Sequence, residues 1–401
     1  MKQSEIDIFN KCRSFTRHKE IEAEGLYPYF KAIESGADAE VLIQGRKMIM
    51  IGSNNYLGLT TDPRIKEAAK AAIDKYGSGC TGSRFLNGTL DIHEELEEKL
   101  ARFMKKEKCI LFSTGFQANL GAISSVVGRD DTILCDRMNH ASILDGCRLS
   151  YGRMLKFRHN DIADLERLLT SNDLQESGSA NLVITEGIFS MEGDIGAVDK
   201  IAALKQKHGF RILLDDAHGV GYMGPGGRGV AEHFDVESSV DLIMGTFSKS
   251  FASLGGFIVG EADILDYIKH HARSLIFSAS MPPANVATVL TALDIMEKEP
   301  EHRERLWKNT HKMKKAYQEL GFNIGNTNSP IIPIIIGDME RTMHFWKALF
   351  EAGVFVNPIV PPAVPPDMSL LRTSYMASHT EKELDRVLEI FGTVGKKLGV
   401  L

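Results

Sequence analysis

Seven short apolar runs recur through the middle of the chain. They are "CILFSTG" (109–115), "TILCD" (132–136), "MLKF" (154–157), "NLVITEG" (181–187), "RILLDD" (211–216), "DLIMGT" (241–246) and "GGFIVG" (255–260). Between most of them lies a segment with helical spacing, such as "DIADLERLLTS" at 161–171. Runs that are apolar at nearly every position, rather than at alternate ones, predict strands covered on both faces. Alternation with helices predicts βαβ units, hence an α/β fold with a mostly parallel seven-stranded sheet. The strand ends hold Ser113-Thr114-Gly115, Asp136, Glu186, Asp215-Asp216 and Thr246. Ligands of such sheets lie beyond the carboxyl ends of the strands, so this polar rim is the expected site.

From about residue 286 the pattern changes. One long helical stretch to residue 320 leads into "SPIIPIII" (329–336), "VFVNPIVPPAVP" (354–365) and "LLRTSYM" (370–376). This predicts a smaller α+β unit at the C-terminus. The expected division is an N-terminal segment 1–60, a large domain 61–290 and a small domain 291–401, with the boundary near the long helix.

Composition narrows the function classes. At 401 residues, 43% hydrophobic and 25% charged, the chain is ordinary for a globular protein with a large core. A net charge of −6 offers no basic footprint for nucleic acid. No apolar stretch approaches the ~20 residues of a membrane span, and the N-terminus lacks an apolar signal core. A cytoplasmic location is expected. The five cysteines form no CxxC pair and no cluster with histidine, which suits reduced thiols and predicts no metal.

The chemistry concentrates around "DLIMGTFSKSFASLGGFIVG" (241–260), where Lys249 stands between two buried-looking strands. About thirty residues earlier, Asp215 ends a strand and His218 follows in "DDAH". A nucleotide-driven acidic box would need a GxxxxGK[ST] loop, which the chain lacks. A carboxylate at a strand end can instead hold a pyridinium N–H⁺, and a lysine at the next strand end can form an imine with an aldehyde. Together they suit pyridoxal 5′-phosphate. Ser113, Thr114 and Gly115 at a strand-to-helix turn would hold a phosphate, with the hydroxyls of Thr246 and Ser248. His140, beyond another strand end, is placed to stack on the ring.

These residues belong to ordered motifs spread over nearly the whole chain. They include "GSNNYLGLT" (52–60), "GSGCTGSRFLNGTLDIHEELE" (77–97), "STGFQAN" (113–119), "DRMNHASILDG" (136–146), "TEGIFSMEGD" (185–194), "LLDDAHGVGYMG" (213–224), "GTFSKS" (245–250), "RSLIFSASMPP" (273–283) and "LLRTSYMASHT" (370–380). In these motifs the chain resembles the α-oxoamine synthases, pyridoxal-phosphate enzymes of the fold-type I aminotransferase architecture. Phe247 and Ser248 before the lysine, "SRFLNGTLD" and "YPYF" (27–30) are similar to the branch that condenses L-serine with palmitoyl-CoA. The products of that branch are 3-ketodihydrosphingosine, coenzyme A and carbon dioxide, opening sphingolipid synthesis. Asp216 departs from the glutamate usual in the family.

The resemblance implies roles for individual residues. Lys249 would hold the cofactor and act as base, Asp215 pair with the ring nitrogen, His218 bond the ring oxygen, and His140 stack. Gly115 and Phe116 amides with Thr246 and Ser248 would hold the phosphate, joined by Ser278 from a partner subunit. Ser190 would pack beside Asp215 and His218. Arg372, with Asn54 or Asn55 and with Ser83, would bind substrate. A homodimer and peripheral membrane contact for the lipid product are further expectations. Rival readings are a sibling enzyme using glycine or alanine with another acyl-CoA, and a non-catalytic subunit. The retained Lys249, Asp215, His218 and His140 weigh against the latter.

Overall fold

A computed structural model describes residues 7–172, 174 and 178–401. Its strands are β1 (Glu40–Ile43), β2 (Arg46–Met50), β3 (Lys108–Phe112), β4 (Thr132–Asp136), β5 (Arg153–Phe157), β6 (Asn181–Glu186), β7 (Arg211–Asp215), β8 (Leu242–Thr246), β9 (Gly256–Gly260), β10 (Ile331–Gly337), β11 (Val354–Phe355), β12 (Asn357–Ile359) and β13 (Ser369–Ser374). The seven apolar runs are β3 to β9. They form one sheet in the order β3-β9-β8-β7-β6-β4-β5, in which only β9 runs against its neighbours.

Side-chain alternation divides this sheet between two cores. Val183, Ile212, Leu214 and Ile243 pack on one face, with Leu96, Val198 and Val289. Leu182, Ile184, Leu213 and Met244 pack on the other, with Ala118, Ile123 and Ile143. Both faces are dry, which is why the strands read as continuous apolar runs. The two-residue period extends to the strand ends. Glu186 follows Ile184, Asp215 follows Leu213 and Thr246 follows Met244, so all three share the face covered by helix Gly115–Val126.

The long helical stretch is two helices, Pro283–Lys298 and Glu301–Leu320. Glu299, at φ −125° and ψ 75°, leaves helical geometry immediately before Pro300. The proline ring disfavours the α conformation in its predecessor and cannot donate a backbone hydrogen bond. Two three-stranded sheets complete the molecule, β1-β2-β11 and β10-β13-β12. Ile49 and Met50 of β2 thus pair with Val354 and Phe355, joining the N-terminal segment to the C-terminal part. Between them runs a strap. Ile51 N–H donates to Phe355 O (2.9 Å), Ser374 N–H to Ile51 O (2.7 Å) and Ala377 N–H to Tyr56 O (2.7 Å). The strap brings Asn54 and Tyr56 to the rim of the large sheet.

Candidate active site

A cavity of about 250 Å³ opens at that rim. Thr114, Gly115, Phe116, His140, Glu186, Asp215, His218, Thr246, Ser248 and Lys249 are among the residues lining it. The loop after β8 explains why a lysine sits between two strands. Phe247 and Phe251 are fully buried and pack on Phe257, with ring centroids 5.3 to 6.3 Å apart. Phe247 N–H donates to Gly255 O (3.0 Å) and Ser253 N–H to Phe247 O (2.8 Å). The two aromatic anchors pin a short loop that leaves Lys249 facing the cavity.

Asp215 is buried and oriented from two sides. Asn119 Nδ2 donates to its Oδ2 at 2.7 Å, and Ala217 N–H to its Oδ1 at 3.0 Å. Asn119 lies one helical turn beyond Gly115, so the same helix frames the carboxylate and offers its N-terminus to the cavity. Thr114 caps that helix by accepting Gln117 N–H (3.1 Å). The Gly115 and Phe116 N–H groups have no acceptor within the helix. A Cβ on Gly115 would lie 2.8 Å from Thr246 Oγ1, so glycine permits this close approach of backbone and hydroxyl. Thr246 Oγ1 and Ser248 Oγ are 2.9 Å apart.

His218 is buried with its Nδ1 2.7 Å from Tyr56 Oη. Burial raises the Tyr56 phenol to about 12, so it keeps its proton. The same hydroxyl donates to Asn54 Oδ1, 3.4 Å away. Burial, and then the Lys249 charge, hold His218 well below its usual range. That shift favours the neutral imidazole, whose Nδ1 faces the phenol. Removing the hydroxyl in Tyr56→Phe leaves a buried ring nitrogen of His218 unpaired, costing about 1–3 kcal/mol. Activity should fall roughly five- to a hundredfold, checked by steady-state kinetics beside a cofactor titration.

Burial lowers Lys249 to about 8, against the opposing pull of Asp215. Burial, then the Asp215 charge, raises Glu186 well above the carboxylate range. Asp216 is fully buried and raised by burial to about 7; its Oδ2 accepts Val230 N–H at 2.6 Å. Gly187, Gly219 and Gly229 enclose that carboxyl so closely that a Cβ on Gly229 would lie 1.9 Å from Oδ2.

Arg372, on β13, is buried. Its Nη2 donates to Asn54 Oδ1 at 2.9 Å and its Nε to the Ser190 carbonyl. Asn54, not Asn55, therefore meets the guanidinium. Asn55 is engaged with Thr60 Oγ1 (2.8 Å) and Leu59 N–H (3.1 Å). Ser190 touches Arg372 through its backbone. Ser278 Oγ accepts from Gln117 Nε2 (3.0 Å) and lines a separate small pocket beside Arg84 and His93. Ser83 is buried with its hydroxyl unpaired, outside the lining of the main cavity. Sequence reasoning assigned no role to Asn119, Tyr56 or Glu186. All three lie in quoted motifs, Glu186 also on the polar rim, and Asn119 carries a usable signal in its four-residue offset from Gly115.

The profile of the family "Aminotransferase class I and II" matches residues 46–391. The chain belongs to that family, among its α-oxoamine synthases. It is similar to serine palmitoyltransferase of Sphingobacterium spiritivorum, 54% identical over 382 residues and 95% of each chain. Among solved structures, the Sphingomonas wittichii serine palmitoyltransferase superposes with a TM-score of 0.94 at 39% identity, covering 98% of this chain and 100% of that one. A serine palmitoyltransferase solved with pyridoxal phosphate as its internal aldimine superposes at 0.95 with 37% identity, over 98% and 100%.

Proposed function

We propose that this chain is a pyridoxal-phosphate-dependent acyltransferase that joins L-serine to a long-chain acyl-CoA, palmitoyl-CoA foremost, releasing coenzyme A and carbon dioxide. The observation that carries this reading is the placement of Lys249, Asp215 and His218 on one cavity, with the Arg372–Asn54 pair at the strap beside it. The relatives' names support the choice of serine and palmitoyl-CoA.

The donor set suits the cofactor at each part. Gly115 and Phe116 N–H groups, with Thr246 and Ser248, would hold the phosphate. Asp215, already oriented by Asn119, would hold the ring nitrogen, and His218 the ring oxygen. His140 would cover the ring face. When bound, pyridoxal phosphate supplies an electron sink for the pair left at the serine Cα.

The protein's own groups do the rest. Arg372 binds the serine carboxylate in two-pronged fashion and sets the torsion about Cα. Lys249, neutral in a partly dehydrated cationic site, takes the Cα proton. A second protomer would bring Ser278 to the phosphate, and a cytoplasmic homodimer is the assembly we infer. Among the described residues no helix is long and apolar enough to cross a membrane.

Titration of the purified protein with L-serine should change the visible absorbance of the bound cofactor. Adding palmitoyl-CoA should then release free thiol. A response to glycine or alanine without one to serine would refute the substrate assignment.

A further inference from the structure

Glu186 gives the cavity a second carboxyl group, at the end of β6. Its register partner is Asp215, and it is 4% exposed. Its Oε1 accepts the backbone N–H of His140 at 2.5 Å. His140 is the N-cap of helix Ala141–Leu149, so this N–H points away from the helix and has no acceptor there. We propose that Glu186 is a positioning residue, which by receiving the His140 N–H sets where the imidazole stands over the cofactor cavity. This rests on His140 covering the cofactor ring, as read above.

The imidazole is held at two ends. Its Nδ1 accepts Ser142 N–H at 3.2 Å and lies 2.8 Å from Ser142 Oγ. Ser142 Oγ accepts from Asn119 Nδ2 at 2.9 Å, and the same amide donates to Asp215. Asp215 thus orients the ring through Asn119 and Ser142, while Glu186 fixes the backbone from which the ring hangs. Either tie alone would leave His140 free to swing about the other. β6 provides a firm base, since Val183 and Ile184 are fully buried on opposite faces of the sheet.

The arrangement also explains why a second acid is tolerated so near Asp215. Burial and the Asp215 charge push the Glu186 carboxyl well above its usual range, toward the neutral form. The neutral form accepts the His140 N–H without adding a second negative charge under a cationic ring. A glutamine has the same length and offers the same neutral acceptor.

The test compares Glu186→Gln, Glu186→Ala, Glu186→Asp and His140→Ala in the full chain. The readouts are pyridoxal phosphate affinity by fluorescence quenching, the induced circular dichroism of the bound cofactor, and apoprotein thermal unfolding. Glu186→Gln should stay within about twofold of the parent in affinity and dichroism. Glu186→Ala and Glu186→Asp, which lose or shorten the acceptor, should weaken binding about tenfold and shrink the dichroic band, as His140→Ala does. If the alanine variant fails to fold, the glutamine and aspartate pair still decides. Glutamine as damaging as alanine or aspartate would overturn the proposal. So would alanine and aspartate variants like the parent while His140→Ala is impaired. His140→Ala itself indistinguishable from the parent would instead overturn the reading of His140, and this inference with it.

Discussion

Lys249→Ala should abolish the visible absorbance of the lysine-linked cofactor and lower turnover by at least about 10²- to 10⁴-fold, the range of a positioned acid–base group. Among the described residues it removes the only lysine that lines the cavity, so no other amine described there can take over. A variant that kept both the absorbance and the turnover would end the assignment. The same amine sets a pH dependence in the native protein. Its ordinary value of 10.5 is lowered to about 8, chiefly by burial. The amine must be neutral to attack a carbonyl, so it is mostly inactive below pH 8 and mostly active above it. At pH 7 roughly a tenth is neutral, against roughly three in ten thousand for an ordinary lysine. Uptake of pyridoxal phosphate by the apoprotein should therefore quicken as pH rises and level off above about 8. Stopped-flow absorbance across pH 6.5 to 10.5 measures this; a rate still climbing beyond pH 9.5 would mean an unperturbed lysine.

Arg372→Ala should raise the serine concentration needed for half-saturation by about 30-fold or more, with palmitoyl-CoA dependence much less affected. Losing one partner of a buried, hydrogen-bonded charge pair costs about 2–5 kcal/mol, and each 1.4 kcal/mol is tenfold. Arg372→Lys should recover little. An ammonium cannot hold Asn54 Oδ1 and the Ser190 carbonyl while meeting a carboxylate with two parallel donors. Separate titrations with serine and with palmitoyl-CoA read the split. A defect confined to the acyl donor would remove Arg372 from the serine site.

The glycines around Asp216 suggest a different kind of check. Gly229 has φ of +110°, and its missing Cβ would collide with the carboxyl. Gly229→Ala should lower stability by about 1–3 kcal/mol through overpacking, with added backbone strain. Chemical denaturation of the apoprotein measures it, and an unchanged midpoint would show that the loop yields.

Much of the site was legible because strand ends are marked twice over. An apolar run that stops at a polar residue, as "RILL" stops at Asp215, announces both a buried strand and a group on its rim. Within each strand the two-residue period ties the end to the side chain two places back, but only register and packing put Glu186, Asp215 and Thr246 on one face. The break before Pro300 was also written in the residues, although the apolar spacing reads smoothly across it. By contrast, Tyr56 and His218 are 162 positions apart, and Arg372 is 318 from Asn54. Spacing carries no information about such pairs, because chain reversals between them decide who meets.

From its residues alone this protein is an α/β chain with seven sheet strands, a polar rim and a lysine–aspartate pair at adjacent strand ends. These are local consequences of burial and of strand geometry. Only the tertiary fold decided that Asn54 rather than Asn55 meets Arg372, that Tyr56 meets His218, and that Glu186 sits buried beside Asp215. Those outcomes depend on which distant segments exclude water from one another, and desolvation is a property of the assembled cavity.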